Sequence, residues 1–196
     1  MTIPSQTFAA HRLALLAAAL GAVGISLIAA PGLAGALGAM LALLMLGVLR
    51  ADLASFIIPD KLVGAGLILA LANALITTGL SWRFALVEGV VPALLRALAT
   101  AGALLALRQI YFFWRQREGI GLGDVKLAGV AGAWLASPLI PIAFELAALG
   151  ALGAYLVRQR SRARALRPDQ RVPFGAFLAA SIWLCWLLQA VIDRWA

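Results

Sequence analysis

Cysteine occurs once in this chain of 196 residues, as Cys185, and histidine once, as His11. A single cysteine excludes an internal disulfide and a cysteine-built zinc cluster. Charge is also scarce. Asp, Glu, Lys and Arg make up 12% of the residues, and only eight are acidic. A soluble domain carries about a quarter charged residues and about half apolar ones. Here 64% are hydrophobic, and the mean hydropathy is +1.00. That excludes an ordinary soluble domain, and it excludes disorder, which needs low hydrophobicity. There is no internal repeat and no low-complexity tract. The chain reads as an integral membrane protein. At about 20 residues per span, its length admits about six to eight spans and no sizeable soluble domain beside them.

What is present are long apolar runs separated by short charged segments. No charge falls between Arg12 and Arg50, and Ala30-Pro31-Gly32 breaks that run near its middle. Pro-Gly marks a turn, so two spans are expected, about 13–30 and 33–49. The first is too long, and too closely followed by a second apolar run, for a signal peptide. Further spans are expected at about 62–80, 86–107, 125–137, 139–157 and 173–192. The expectation is an all-α, polytopic transmembrane bundle of about seven spans, forming one membrane-embedded domain over 1–196.

The net charge of +8 would suggest nucleic acid in a soluble protein. In a membrane protein the positive-inside rule accounts for it, and no nucleic-acid partner is expected. With the N-terminus in the cytoplasm, 13 Lys and Arg fall in the arm and in the loops 50–61, 108–126 and 158–171. Only Arg83 and Arg194 fall on the other side, and Arg96 lies within a span. The bias supports seven spans in that orientation. The Arg-rich loop 158–171 is expected to meet anionic lipid. Trp82, Tyr111, Trp114 and Trp195, near span ends, read as interfacial anchors, and His11 reads as interfacial too. Cys185, in an apolar run, reads as a buried small hydrophobe. Gly129 with Ala133, and Gly150 with Ala154, suit close helix approach. Arg96 and Glu145 both fall at membrane depth and are expected to pair, since lone charges there are costly.

Two of the eight carboxylates stand out by position. Asp52 falls just past the end of the second span and Asp124 at the start of the fifth, on the same membrane face. Two carboxylates that meet can share one proton; one then acts as base on a water and the other as acid toward a carbonyl oxygen. Blander roles compete. Asp124 would serve as a helix N-cap, Asp52 as a loop carboxylate paired with Arg50, and Asp60 as the cap of the helix after Pro59. Gly119, Gly121 and Gly123 form G-x-G-x-G-D, which is neither the dinucleotide fingerprint nor a phosphate loop. Glycines there permit a close backbone approach beside Asp124.

Gly121-Leu122-Gly123-Asp124-Val125-Lys126-Leu127 resembles the G-x-G-D-x-K-L motif of the prepilin peptidases, the type IV leader peptidases. Asp52 through Pro59-Asp60 is similar to that family's first aspartate segment, and Pro173-Phe174-Gly175 to its last-span motif. The resemblance covers about residues 33–190. It implies that Asp52 and Asp124 are the catalytic aspartates, with Gly121, Gly123, Lys126, Pro59, Asp60, Pro173 and Gly175 as supporting motif positions. It implies a membrane aspartic endopeptidase of the bacterial inner membrane, serving pili or protein secretion. Such an enzyme cuts the basic leader from prepilins or pseudopilins after a glycine at the cytoplasmic face. No metal or cofactor is expected. Many members add a domain with two C-x-x-C pairs and methylate the new N-terminus. With one cysteine, this chain resembles the short peptidase form, for which methyl transfer is not expected. Where the family often has a second proline this chain has Ala176, a change expected to matter little. The rival readings are a proton- or ion-coupled transporter, which would show ion-linked uptake and no cleavage, and a non-catalytic scaffold of a pilus or secretion assembly, indifferent to loss of either aspartate. A preflagellin- or presenilin-like G-x-G-D protease is a third.

Overall fold

The structure is a computed structural model that describes residues 5–78, 81–162 and 172–195. Most of the basic loop expected at 158–171, and the His11 side chain, lie outside the described residues. Among those residues seven helices form and no strand does: α1 (Ser5–Ala29), α2 (Leu33–Ser55), α3 (Asp60–Thr78), α4 (Trp82–Arg115), α5 (Leu122–Trp134), α6 (Leu139–Arg162) and α7 (Phe174–Trp195). The all-α polytopic expectation holds.

The α1–α2 break falls at Pro31-Gly32, where Gly32 adopts φ 72°, a conformation open to glycine. Other helices outrun the expected spans. α2 continues through Arg50 and Asp52, α4 through the basic aromatic stretch to Arg115, and α6 to Arg162. Charges end an apolar run, but Arg is a good helix former and nothing in these stretches breaks a helix. α4 opens with a π-helical turn at Ala85–Val90. Pro92 follows; a helix-interior proline donates no amide hydrogen and crowds the carbonyl four residues back, and a widened turn relieves that.

α2, α3, α4, α6 and α7 are long and apolar enough to cross a membrane, and α1 carries a shorter apolar stretch, Leu13–Ala29. α5 differs. Its 13 residues rise about 20 Å at 1.5 Å each, less than the roughly 30 Å of a hydrocarbon core. It ends at Trp134 rather than near 137, because Leu135 is extended. α5 is the buried axis of the bundle: Val125, Leu127, Ala128, Val130, Ala131, Gly132, Ala133 and Trp134 are all buried. It packs against α3, α4 and α7, while α2 joins α1, α3 and α7, and α6 lies along α7.

Small residues set the spacing. Gly132 backs onto the Arg96 carbonyl, Gly129 faces Ala97 and Ala101, and Gly150 faces the Phe177 ring. Large apolar side chains instead point outward; Leu20, Ile28 and Ile68 are each more than 70% exposed. A surface of leucine and isoleucine suits lipid, where helices associate by close packing rather than by expelling water. Polar groups inside find partners, as lipid requires. Trp134 Nε1 donates to the Gly66 carbonyl (3.0 Å), Trp183 Nε1 to Ser26 Oγ (3.1 Å), and the Ala136 amide to Gln189 Oε1 (3.0 Å). Cys185 is buried, in line with its apolar surroundings.

The expected pairing of Arg96 with Glu145 is not what forms. Arg96 Nε donates to the Gly132 carbonyl at 3.2 Å. α4 packs on α5 and α6 on α7, so the two charges sit on helices that are not packed partners.

Gly132→Val should lower stability by about 1–3 kcal/mol, since its side chain would meet the α4 backbone. Gly153→Val, where nothing lies within 4 Å, should change it by less than about 0.5 kcal/mol. Thermal unfolding in detergent compares the two.

Candidate active site

Asp52 does not lie in a loop. It occupies the last turn of α2 and is buried, at 5% exposure. Arg50 does not pair with it, because residues two apart on a helix point to different faces. Its partner is remote: the Ala176 amide donates to Asp52 Oδ2 at 2.7 Å. Ala176 is the third residue of α7, so its amide is one of the four that a helix start leaves unsatisfied. Asp52 caps α7 from another helix. The change expected to matter little therefore matters in this chain, since a proline at 176 would have no hydrogen to donate.

Asp124 is not the N-cap of α5; Gly121 is. Asp124 is the third helical residue, and its carboxylate turns back to accept from the Gly121 amide. That is the glutamate half of a capping box, played by an aspartate. Both carboxylates thus stand at helix N-termini, where amide dipoles favour negative charge.

Gly175 brings the two together. A Cβ placed on it would lie 2.8 Å from Asp124 Oδ1 and 3.1 Å from Asp52 Oδ2. Both carboxylates therefore reach one point beside the Gly175 backbone, and only a residue without a side chain leaves it open. The same point lies 2.5 Å from Ile58 Cδ1.

The other motif positions fall around this pair. Gly123 packs on Ile58, which a Cβ there would meet at 3.1–3.3 Å. Pro59 accepts the amides of Leu62 and Val63 and so holds the cap position expected for Asp60, which is instead the first residue of α3. Lys126 Nζ lies 2.6 Å from Asp60 Oδ1, so it ties the starts of α5 and α3 together rather than serving Asp124. Both partners are largely exposed, so this bond adds little stability. Pro173 is buried just ahead of α7. Among the described residues, no group of three or more His, Cys, Asp or Glu comes together that could hold a metal.

Some of the site was not foreseen. Arg108, 15% exposed, donates from Nε to the Ile120 carbonyl (2.9 Å) and from Nη2 to Glu118 (2.8 Å). Tyr111, one turn along α4, lays its ring against Gly119. These two side chains hold the loop that ends in the Gly121 cap. Neither spacing nor composition marks them, for Arg108 looked like one more flanking base and Tyr111 like an interfacial anchor. Trp82, Trp114 and Trp195 are well exposed near helix ends.

Apolar helices with lipid-suited faces and two carboxylates meeting between helix starts define a multi-pass membrane protein with a two-aspartate site. Residues 39–156 match the Type IV leader peptidase family, and the chain belongs to it. It is 30% identical over 195 residues to the prepilin leader peptidase/N-methyltransferase of Aeromonas hydrophila, which covers 95% of this chain and 61% of that protein. It is 30% identical to the protein of the same name from Aeromonas salmonicida (strain A449), with 87% and 57% covered, and 34% identical to that of Burkholderia pseudomallei (strain K96243), with 85% and 49% covered. The chain thus spans about half to three-fifths of the length of these relatives. No solved structure matches it.

Arg108→Ala should free the 116–121 loop. The bond from the charged Arg108 to the Ile120 carbonyl is worth roughly 1.5–3 kcal/mol and the one to the exposed Glu118 adds little, so amide exchange in that segment should quicken by at least about tenfold. Hydrogen exchange read by mass spectrometry measures it, with α7 as the unchanged reference.

Proposed function

We propose that this protein is a membrane aspartic endopeptidase that removes the basic leader from prepilins or pseudopilins. The observation that carries this is the meeting of Asp52 and Asp124 beside Gly175 in a chain of the leader peptidase family. Gly121, Gly123, Lys126, Pro59, Asp60, Pro173 and Gly175 act as its supporting frame.

The pair holds one proton, which belongs to both carboxylates rather than to either alone. The charged carboxylate takes a proton from a water as its oxygen attacks the scissile carbonyl carbon. The protonated partner gives its proton to the carbonyl oxygen, and a tetrahedral intermediate forms. On collapse, one hydroxyl of the intermediate returns its proton to the partner carboxylate as the C=O bond re-forms, the C–N bond breaks, and the leaving nitrogen takes up a proton from the carboxyl that gained one. An acid, an amine and the original dyad remain.

The cytoplasmic side is the proposed site of cleavage, in a bacterial inner membrane. The excess of Lys and Arg in the loops on the dyad's side supports that orientation. The substrate's apolar helix would lie in lipid along the bundle, which brings its basic leader to the membrane face beside the dyad. The basic 158–171 loop contacts anionic lipid. The whole chain works as a single peptidase domain. The transferase half of the relatives' name is not carried over, because nothing in this site bears on it.

Cleavage of a model prepilin with a basic leader ending in glycine, assayed in liposomes, tests the proposal. The chain should cut after the glycine. Asp52→Asn and Asp124→Asn should each lower kcat by about 10²–10⁴-fold or more while staying folded. Cleavage at full rate by either variant would refute the dyad. Gly175→Ala should cost about 10²-fold, because its methyl group would push the carboxylates off their shared point, and misplacement by an ångström has that effect.

A further inference from the structure

At the end of the bundle away from the dyad, the α1–α2 turn and the last turns of α3 and α7 border a cavity of about 390 Å³. That size is usual for a ligand site. α3 and α7 are not packed partners, and the cavity is the gap between their ends. Each helix presents a polar edge to it. On α3, Asn73 and Thr77 stand one turn apart. On α7, Trp186, Gln189 and Asp193 recur at helical spacing, with Arg194 beside them. Alanines and Pro31 form the rest of the wall.

The polar groups on this wall are left mostly as donors. Thr77 Oγ1 spends its hydrogen on the Asn73 carbonyl of its own helix (2.7 Å). The Ala136 amide donates to Gln189 Oε1 (3.0 Å), so the NH2 of Gln189 is the half left over. The side-chain amide of Asn73 has no partner among the described residues. Trp186 is only 6% exposed, yet its indole N–H meets no acceptor among them either. Every shut-in side-chain nitrogen or oxygen among those residues does have a partner. The indole nitrogen therefore has open space beside it, and the open space that Trp186 borders is this cavity. Unmet polar groups in an apolar bundle are costly, so the cavity calls for acceptors. At its mouth, Arg194 gives Nη1 to the Ile28 carbonyl (3.0 Å) and keeps further donors. Asp193 is the acid there.

Depth along the helices decides what fits. Trp195, 84% exposed at the end of α7, marks the headgroup level, and Asp193 and Arg194 adjoin it. Gln189 lies one turn further in. Trp186 lies a second turn in, about 10 Å from Asp193 at 1.5 Å per residue. A phospholipid has the same order, with a charged headgroup outside and ester carbonyls, which only accept hydrogen bonds, further in. We propose that this cavity binds one phospholipid whose headgroup carries a primary ammonium, phosphatidylethanolamine. Asn73, Gln189 and Trp186 donate to its esters, Arg194 to its phosphate, and Asp193 accepts from its ammonium. Water would meet the donors, but the adjacent opposite charges at the mouth match a zwitterion. The site stands apart from the dyad and does not rest on the peptidase proposal.

The test titrates the purified full chain in detergent with phosphatidylethanolamine, phosphatidylcholine and phosphatidylglycerol of the same acyl chains, and counts bound lipid by native mass spectrometry. Phosphatidylethanolamine should fill one site per chain and bind about threefold or more tighter than the others, the factor an exposed ion pair supplies. The methylated ammonium of phosphatidylcholine has no hydrogen for Asp193, and phosphatidylglycerol has no cation. Asp193→Asn should erase that preference; Asp193 is exposed at a helix end, so the exchange leaves the fold intact. Asn73→Leu removes one ester donor at similar volume and should weaken all three lipids by about two- to tenfold. Ala190→Phe fills the cavity and should abolish the site. Equal binding of the three lipids, or a preference that survives Asp193→Asn, would overturn the proposal. So would a chain that holds no lipid, which would mean a cavity filled by water only. Soluble glycerophosphoethanolamine bound as tightly as the intact lipid would overturn it too, since the site would then serve a free headgroup.

Discussion

Everything in this molecule is arranged around two carboxylates taken partly out of water at one end of a lipid-facing bundle. A buried carboxylate needs donors, and this protein finds them in the loose amides of helix starts. Asp52 takes the Ala176 amide of α7, and Asp124 takes the Gly121 amide of its own helix. Because each acid completes a helix start, the acids and the helix ends fix one another. Gly175 then lets them converge.

The short α5 follows from the same need. A helix that crossed the full membrane would carry its first turn out among headgroups. The 13 residues of α5 start half-exposed at Leu122–Asp124 and are mostly buried from Val125 to Trp134, packed against α3, α4 and α7. Alanine and glycine make that closeness possible, most plainly where Gly132 meets the backbone of α4. Arg108 and Tyr111 hold the preceding loop, and the Lys126–Asp60 bond ties the α5 and α3 starts from outside. The site is thus framed by several helices, none of which carries it alone.

Much of this was legible in the sequence. Apolar runs report spans because lipid tolerates few charges, and Pro31-Gly32 reports a turn because few other residues make one. The runs do not report helix ends. Charge at the membrane face stops a span without stopping a helix, so α2, α4 and α6 run on. The first extension is what turned Asp52 from a loop residue into a buried helical one. Lys126 and Arg96 were legible as cations and illegible as partners, because a pairing depends on which helices pack together.

The sequence by itself determined that this chain is an all-helical membrane protein and which two acids share a face. Periodic apolar runs and sparse charge are local properties, and lipid reads them locally. The tertiary structure decided how those acids are held and what stands over them. The Ala176 amide, the Arg108 clamp and the choice of Ile58 over Ile57 as the inward residue all join positions far apart in the chain or turn on one left-handed residue, Phe56. No local pattern encodes such meetings, since they arise only when the helices have packed.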